Sequence, residues 1–295
     1  MTSSSDTDNN LHRALAPISD VAWQQIAEEA SRTIKRNLAA RRVVDVDGPH
    51  GYGHASVTTG HVSEIAAPTA EVRARLRDVL PLVEIRVPFT LDRLAIDDVA
   101  RGSQDSDWQP VKDAATIIAH TEDRAVFEGY PAASIQGIGG SSSNPAIPLP
   151  EDPRNYPDAV AQALSELRLA GVEGPYALVL DAEAYTAVSE TRDHGYPILA
   201  QLNRLVPDAI VWAPALRGGY LLTTRGGDFE LTIGQDVSIG YLRHTDTTVD
   251  LYLQETFTFS PHRRGIGLPH PLSGPRLCPD CLYRGNISAR RSTAK

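Results

Sequence analysis

The chain has 295 residues, with 37 Asp and Glu against 28 Lys and Arg, a formal charge of −9. A length of that order admits roughly two domains and a sizeable core. The acidic balance argues against a nucleic-acid binder, whose footprint is ordinarily basic. No apolar run reaches the roughly eighteen residues that a bilayer-spanning helix takes, and the polar start carries no basic and apolar leader, so a cytoplasmic protein without a membrane partner is expected. The two cysteines, Cys278 and Cys281, stand together in the last part of the chain and supply no disulfide framework.

Residues 1–9 read as disordered by composition. Ser19 or Asp20 then caps a helix in which Trp23, Ile26, Ala27, Ala30, Ile34 and Leu38 recur at three- and four-residue steps and make one dry face. Its acids, Glu28 and Glu29, come early and its bases, Lys35 and Arg36, come late, followed by Arg41 and Arg42, the order that suits a helix dipole. After Val43-Val44-Asp45-Val46, a glycine-rich run at 48–53 breaks the pattern. Two extended segments, 55–65 and 82–91, with polar sequence between them predict a long hairpin. A free-standing hairpin is only marginally stable in water, so a partner surface is expected beneath it.

A second long helix is predicted over 105–130, with Pro110 in its first turn and Val111, Ala114, Ala115, Ile118 and Ala125 along one stripe. His120, Glu122 and Asp123 fall on or near its wetter side and read as a solvated face, since nothing else converges on them as an acid/base site would need. Residues 137–150 read as a loop. The run Gly139-Gly140-Ser141-Ser142-Ser143 lacks both the lysine of a phosphate loop and the spacing of a nucleophile elbow.

Helices at 157–170, 182–190 and 198–205 alternate with short strands at 176–180, 210–212 and 220–224, which describes a compact α/β lobe. Within it the turn 191–197 places Arg192, Asp193, His194 and Gly195 together. A general base needs an orienting carboxylate and a reacting group, and here only the carboxylate is visible.

Residues 223–259 read as three strands. Phe229, Leu231 and Ile233 alternate with Glu230 and Thr232, and Val249, Leu251 and Leu253 alternate with Asp250, Tyr252 and Gln254, one dry and one wet face in each case. Gly226-Gly227 and Gly234 fall where the backbone turns or bulges.

The wording of this stretch, RGGDFELTIGQDVSIGY at 225–241 followed by ETFTF at 255–259, closely resembles encapsulin nanocompartment shell proteins of the linocin-like, actinobacterial type. Further likeness runs from Asn10-Leu11-His12-Arg13 to Phe259. The resemblance implies an α+β, Hong Kong 97-like tailed-phage capsid fold. Its parts would be a helix opening the P-domain at 10–46, an E-loop arm at 47–92, the spine-helix region at 93–135, an A-domain at 136–222 and P-domain strands at 223–260. It implies a structural subunit, with neither catalytic residues nor cofactor, that closes with on the order of sixty copies of itself into an icosahedral shell. The enclosed cargo would be a dye-decolorizing peroxidase or a ferritin-like protein, recruited by a C-terminal targeting peptide and serving oxidative-stress defence or iron handling.

On this chain the implied peptide-binding positions are Ile34, Leu38, Arg41, Asp45, Val237 and Ile239. Arg192, Asp193, His194 and Gly195 would line a five-fold opening, where an imidazole makes the field responsive to pH. Lysines occur only at 35, 112 and 295, so the lysine–asparagine cross-link of some phage relatives is not expected. Residues 261–295, with six Arg and one Lys against Asp280, depart from the family and read as a disordered Pro/Arg-rich tail. His262, His270, Cys278 and Cys281 are chemically competent for zinc, although their spacing matches no finger pattern. Two other classes are weighed: a bacteriocin- or protease-like enzyme, for which no HExxH, elbow or Walker motif is present, and a phage major capsid protein.

Overall fold

The computed structural model describes residues 9–142, 145–261 and 270–273, the last as backbone. In chain order the elements are α1 (Asp20–Asn37), β1 (Asp45–Asp47), β2 (Ser56–Ile65), β3 (Ala74–Pro81), β4 (Val83–Asp92), α2 (Arg93–Ala100), α3 (Gln109–Phe127), α4 (Ile138–Ser141) and β5 (Ile147–Pro148). They continue with α5 (Tyr156–Leu169), β6 (Tyr176–Leu180), α6 (Ala182–Glu190), β7 (Arg192–Asp193), β8 (Tyr196–Pro197), α7 (Ile198–Leu205), β9 (Ala209–Trp212) and β10 (Gly219–Thr223). The final group is β11 (Phe229–Ile233), β12 (Ser238–His244), β13 (Thr248–Pro261) and β14 (His270–Ser273).

The longest strand, β13, organises the larger sheet. β4 runs antiparallel along one edge, from Asp92 opposite Thr248 to Val83 opposite Phe257, while β12 and then β11 follow one another along the other edge. β1 joins β11 in parallel. α1 and α3 pack together on this sheet, and Ile26 and Ala30 of α1, Val111 and Ile118 of α3, and Leu251 and Leu253 of β13 share one core. A second sheet, in the order β5-β14-β10-β6-β9, carries α5, α6 and α7 around Leu164, Leu167, Leu178, Leu180, Ile198 and Leu202.

Four departures from the sequence reading have physical causes. The arm is β2 paired with β3, whereas 83–92 belongs to the large sheet. Its Phe89 and Leu91 are buried there, and the stretch that forms β3 carries Ala74, Leu76 and Val79 without a regular alternation and outside the subunit core. The supposed wet face of β13 is dry, because Tyr252, Gln254, Thr256 and Thr258 are all buried. Gln254 Nε2 donates laterally to Gln235 Oε1 at 2.8 Å, which also accepts from Asn10 Nδ2 at 3.1 Å, while the buried Gln254 Oε1 has no partner among the described residues. The expected helix over 105–130 is shorter, and α2 precedes it, capped by Asp92 accepting from the Leu94 N–H at 2.8 Å. Finally, His270–Ser273, assigned by composition to a disordered tail, forms β14, antiparallel to β10 and parallel to β5, because main-chain hydrogen bonding needs no apolar side chains. His262, Cys278 and Cys281 lie outside the described residues, and of His270 only the backbone is described, so the zinc alternative has no geometry here.

Candidate functional site

Ser19 accepts from the Ala22 N–H at 3.4 Å to start α1, and the chain leaves the helix at Leu38 with extended backbone. The next two N–H groups, of Ala39 and Ala40, donate to the Asp123 carboxylate at 3.0 and 2.8 Å. That grip turns the chain so that Arg41 points inward. Its guanidinium reaches Glu122 at 2.6 Å, Asp236 at 2.9 Å and Glu255. Glu122 and Asp123, read from sequence as solvated, are 0% exposed. They accept the hydrogen bonds of the Ala39 and Ala40 N–H groups and of the half-buried Arg41 guanidinium, which water would otherwise take.

Burial shapes this cluster. It pushes the Asp123 carboxyl up to about 7, against the opposing pull of the Ala40 and Ala39 N–H groups. It pushes Glu255 well above the usual carboxylate range, with Glu122 adding to the rise and Arg41 opposing it. Burial disfavours the charge of Arg41, but the hydrogen bond and field of Glu122, then Glu255 and Asp236, hold its pKa above the ordinary arginine value. His120, one turn earlier on α3, is lowered by burial and by Arg124, and its buried Nε2 has no hydrogen-bond partner.

With the end of α1 held in this way, a groove of about 450 Å³ opens between α1 and the start of β12. Ile34 and Leu38 line it from one side, Val237 and Ile239 from the other, and Leu11 and Leu253 also contribute. Five of the six residues named from sequence as peptide-binding therefore meet at one place. Asp45 does not. It sits in β1 beside a separate depression with Thr224 and Gly226, where it accepts from the Gly227 N–H at 2.5 Å and ties down the turn between β10 and β11. Arg41 lines the groove but spends its hydrogen bonds on three carboxylates, so its part is to hold the groove wall. Ile239, 5% exposed, is as much core as lining.

Sequence reasoning missed Leu11, Arg13, Arg42 and Asp236 on the groove and Glu122, Asp123 and Glu255 behind it. For Glu122 and Asp123 a signal existed: two adjacent acids set between the apolar Ile118-Ala119 and Ala125-Val126-Phe127 on one helix.

Arg192, Asp193, His194 and Gly195 are together at the tip of the β7–β8 hairpin. His194 and Gly195 form its two-residue turn with φ of 46° and 89°, the left-handed backbone such hairpins take, and the His194 side chain is 96% exposed. Asp193 Oδ1 lies 3.8 Å from His194 Nε2.

A long helix laid across a sheet, a separate sheet-and-helix lobe and a projecting hairpin define a capsid-type shell subunit of the Hong Kong 97-like fold. The virus-like particle from Pyrococcus furiosus superposes with a TM-score of 0.62 at 13% identity, covering 85% of this chain and 99% of that one. The capsid of Myoviridae phage XM1 gives 0.51 at 11% identity over 79% and 90%. Residues 8–258 match the family model described as the encapsulating protein for peroxidase. The type 1 encapsulin shell protein of Mycobacterium tuberculosis is 61% identical over 251 residues, 85% of this chain and 95% of that protein. That of Brevibacterium linens is 57% identical over 252 residues, again 85% and 95%. The chain belongs to the type 1 encapsulin shell protein family.

Proposed function

We propose that copies of this chain, about sixty in the simplest closed arrangement, form an icosahedral compartment in the cytoplasm. The groove between α1 and β12 holds the C-terminal tail of an enclosed enzyme. The observation that carries this reading is the convergence of Ile34, Leu38, Val237 and Ile239, distant in sequence, on one open apolar groove. Each apolar side chain of a guest peptide buried there contributes about 1.5–3 kcal/mol, enough for a short segment to bind. A dye-decolorizing peroxidase is the favoured guest, in keeping with the family description, and a ferritin-like protein is the second. The β7–β8 tips, with Arg192, Asp193, His194 and Gly195, surround the five-fold opening, and the β2–β3 arm lies on a neighbouring subunit.

Val237 is the residue to test, because it is half-buried in the single subunit whereas Ile239 is core. Val237→Asp shells are expected to form particles of normal size by electron microscopy that carry no guest by mass spectrometry. Undiminished guest content would refute the groove as the binding place.

A further inference from the structure

One guanidinium, that of Arg41, stands among more acid than it can neutralise. Glu122 on α3, Glu255 on β13 and Asp236 between β11 and β12 all bond it, and Asp123 lies next to Glu122. Asp236 has a half-exposed side chain, so water shares its charge, and Asp123 has the Ala39 and Ala40 N–H groups as donors of its own. Glu122 and Glu255 have neither relief. Both are 0% exposed, and the same nitrogen serves both, Arg41 Nη2 donating to Glu122 Oε2 at 2.6 Å and to Glu255 Oε1. Glu255 Oε2 is buried with no hydrogen-bond partner among the described residues. Two ionised carboxylates would put a second negative charge in a dry site against one cation, which water-free surroundings penalise heavily. One proton removes that charge and lets one carboxyl hydrogen-bond the other.

The charged groups that face Glu255 from the elements packed on it are Glu122, Arg41 and Asp236. On β4, Ile85 stands opposite Glu255, while the flanking Glu84 and Arg86 pair with each other on the other face of the sheet. We propose that Glu122 and Glu255 hold one proton between them and that this proton latches the end of α1. Bound, it lets Arg41 dock on both carboxyls and keeps residues 39–42 against α3 and β13; its loss to solvent frees them. Burial, then Glu122, hold the Glu255 carboxyl well above its ordinary value of 4.5, with Arg41 opposing, so the docked chain keeps a proton that an opened one gives up. The latch is therefore tightest below about pH 4.5 and loosens as pH rises, by at most about tenfold in the opening equilibrium per pH unit. It concerns the chain's own segment and holds whatever occupies the groove.

The test is amide hydrogen exchange of the full-length chain at about pH 5 and about pH 8. Protection of residues 39–42 is taken relative to an unstructured peptide of the same sequence at the same pH. Between the two conditions it is expected to fall about tenfold or more further in the unaltered chain than in E255Q, where a neutral amide replaces the acid throughout. E122Q, which leaves Glu255 alone with Arg41, is expected to lose most of the dependence as well. E122Q/E255Q leaves Arg41 only Asp236 and is expected to be poorly protected at both pH values. Equal falls in the unaltered chain and E255Q overturn the proposal. So does a double variant as well protected as the single ones, since the two carboxyls would then not be what holds Arg41. Should neither single variant fold, Asp123→Asn decides, because it removes the other raised carboxyl. A remaining fall of about tenfold upholds the latch, and protection that no longer changes with pH overturns it.

Discussion

The β2–β3 arm and strand β13 are both long stretches of antiparallel ladder, yet they differ completely in where their surface goes. No residue of β2 or β3 is buried in the subunit, and Val62, Leu76 and Val79 are about half exposed. In β13, residues 251–259 are all buried. Backbone pairing is common to both, so it is not what separates them. β13 has α3 over it and a strand on each edge, whereas the arm pairs only its own two strands and touches the body of the subunit lightly, where β3 meets β13, too little for independent stability in water. One region is completed by folding and the other by assembly.

The largest effect expected on this contrast comes from Phe257, fully buried in β13 opposite both Ile233 and Val83. Phe257→Ala should cost about 3–5 kcal/mol, read as a lower urea midpoint of the subunit. A loss below about 1 kcal/mol would mean that β13 also draws its stability from neighbours.

An intermediate effect belongs to Asp123. Its carboxyl is raised by burial from 3.8 to about 7. Between those values the folded chain keeps a proton that the unfolded chain has released, so this group favours folding most below about pH 4. Its contribution falls as pH rises to about 7, by at most about 1.4 kcal/mol per unit. Asp123→Asn should flatten that part of the stability-against-pH curve. An unchanged slope between pH 4.5 and 7 would show that the Ala39 and Ala40 N–H groups, rather than burial, set its ionisation.

The smallest effect on the subunit is expected from Leu76→Ser with Val79→Ser in the arm. Subunit stability should move by no more than about 0.5 kcal/mol, while the particle fraction on a sizing column falls. Full assembly of this variant would remove the arm from the list of contacts that close the shell.

Helix α1, the α/β lobe and the strands of 223–259 were legible in the sequence because their apolar spacing is regular and their ends are marked by residues such as Ser19 and Gly226-Gly227. The arm was legible only in part, since pairing between two outward-facing strands leaves no pattern that a core imposes. The groove's apolar residues were named through likeness of wording. The carboxylates behind it were not, because a charge on a helix looks the same whether water or a buried arginine answers it. Asp45 was misplaced for a related reason: its neighbour is Gly227, which nothing near it in the chain announces.

Strand β14 bears on how the chain tolerates change at its far end. It lies between β5 and β10, so a chain stopped after Pro261 would leave β10 on the border of its sheet, its outward amides and carbonyls open to a stranger's backbone, and would strip the two-residue β5 of the one ladder it makes among the described residues. Such a shortened chain would be prone to stick to others along that seam.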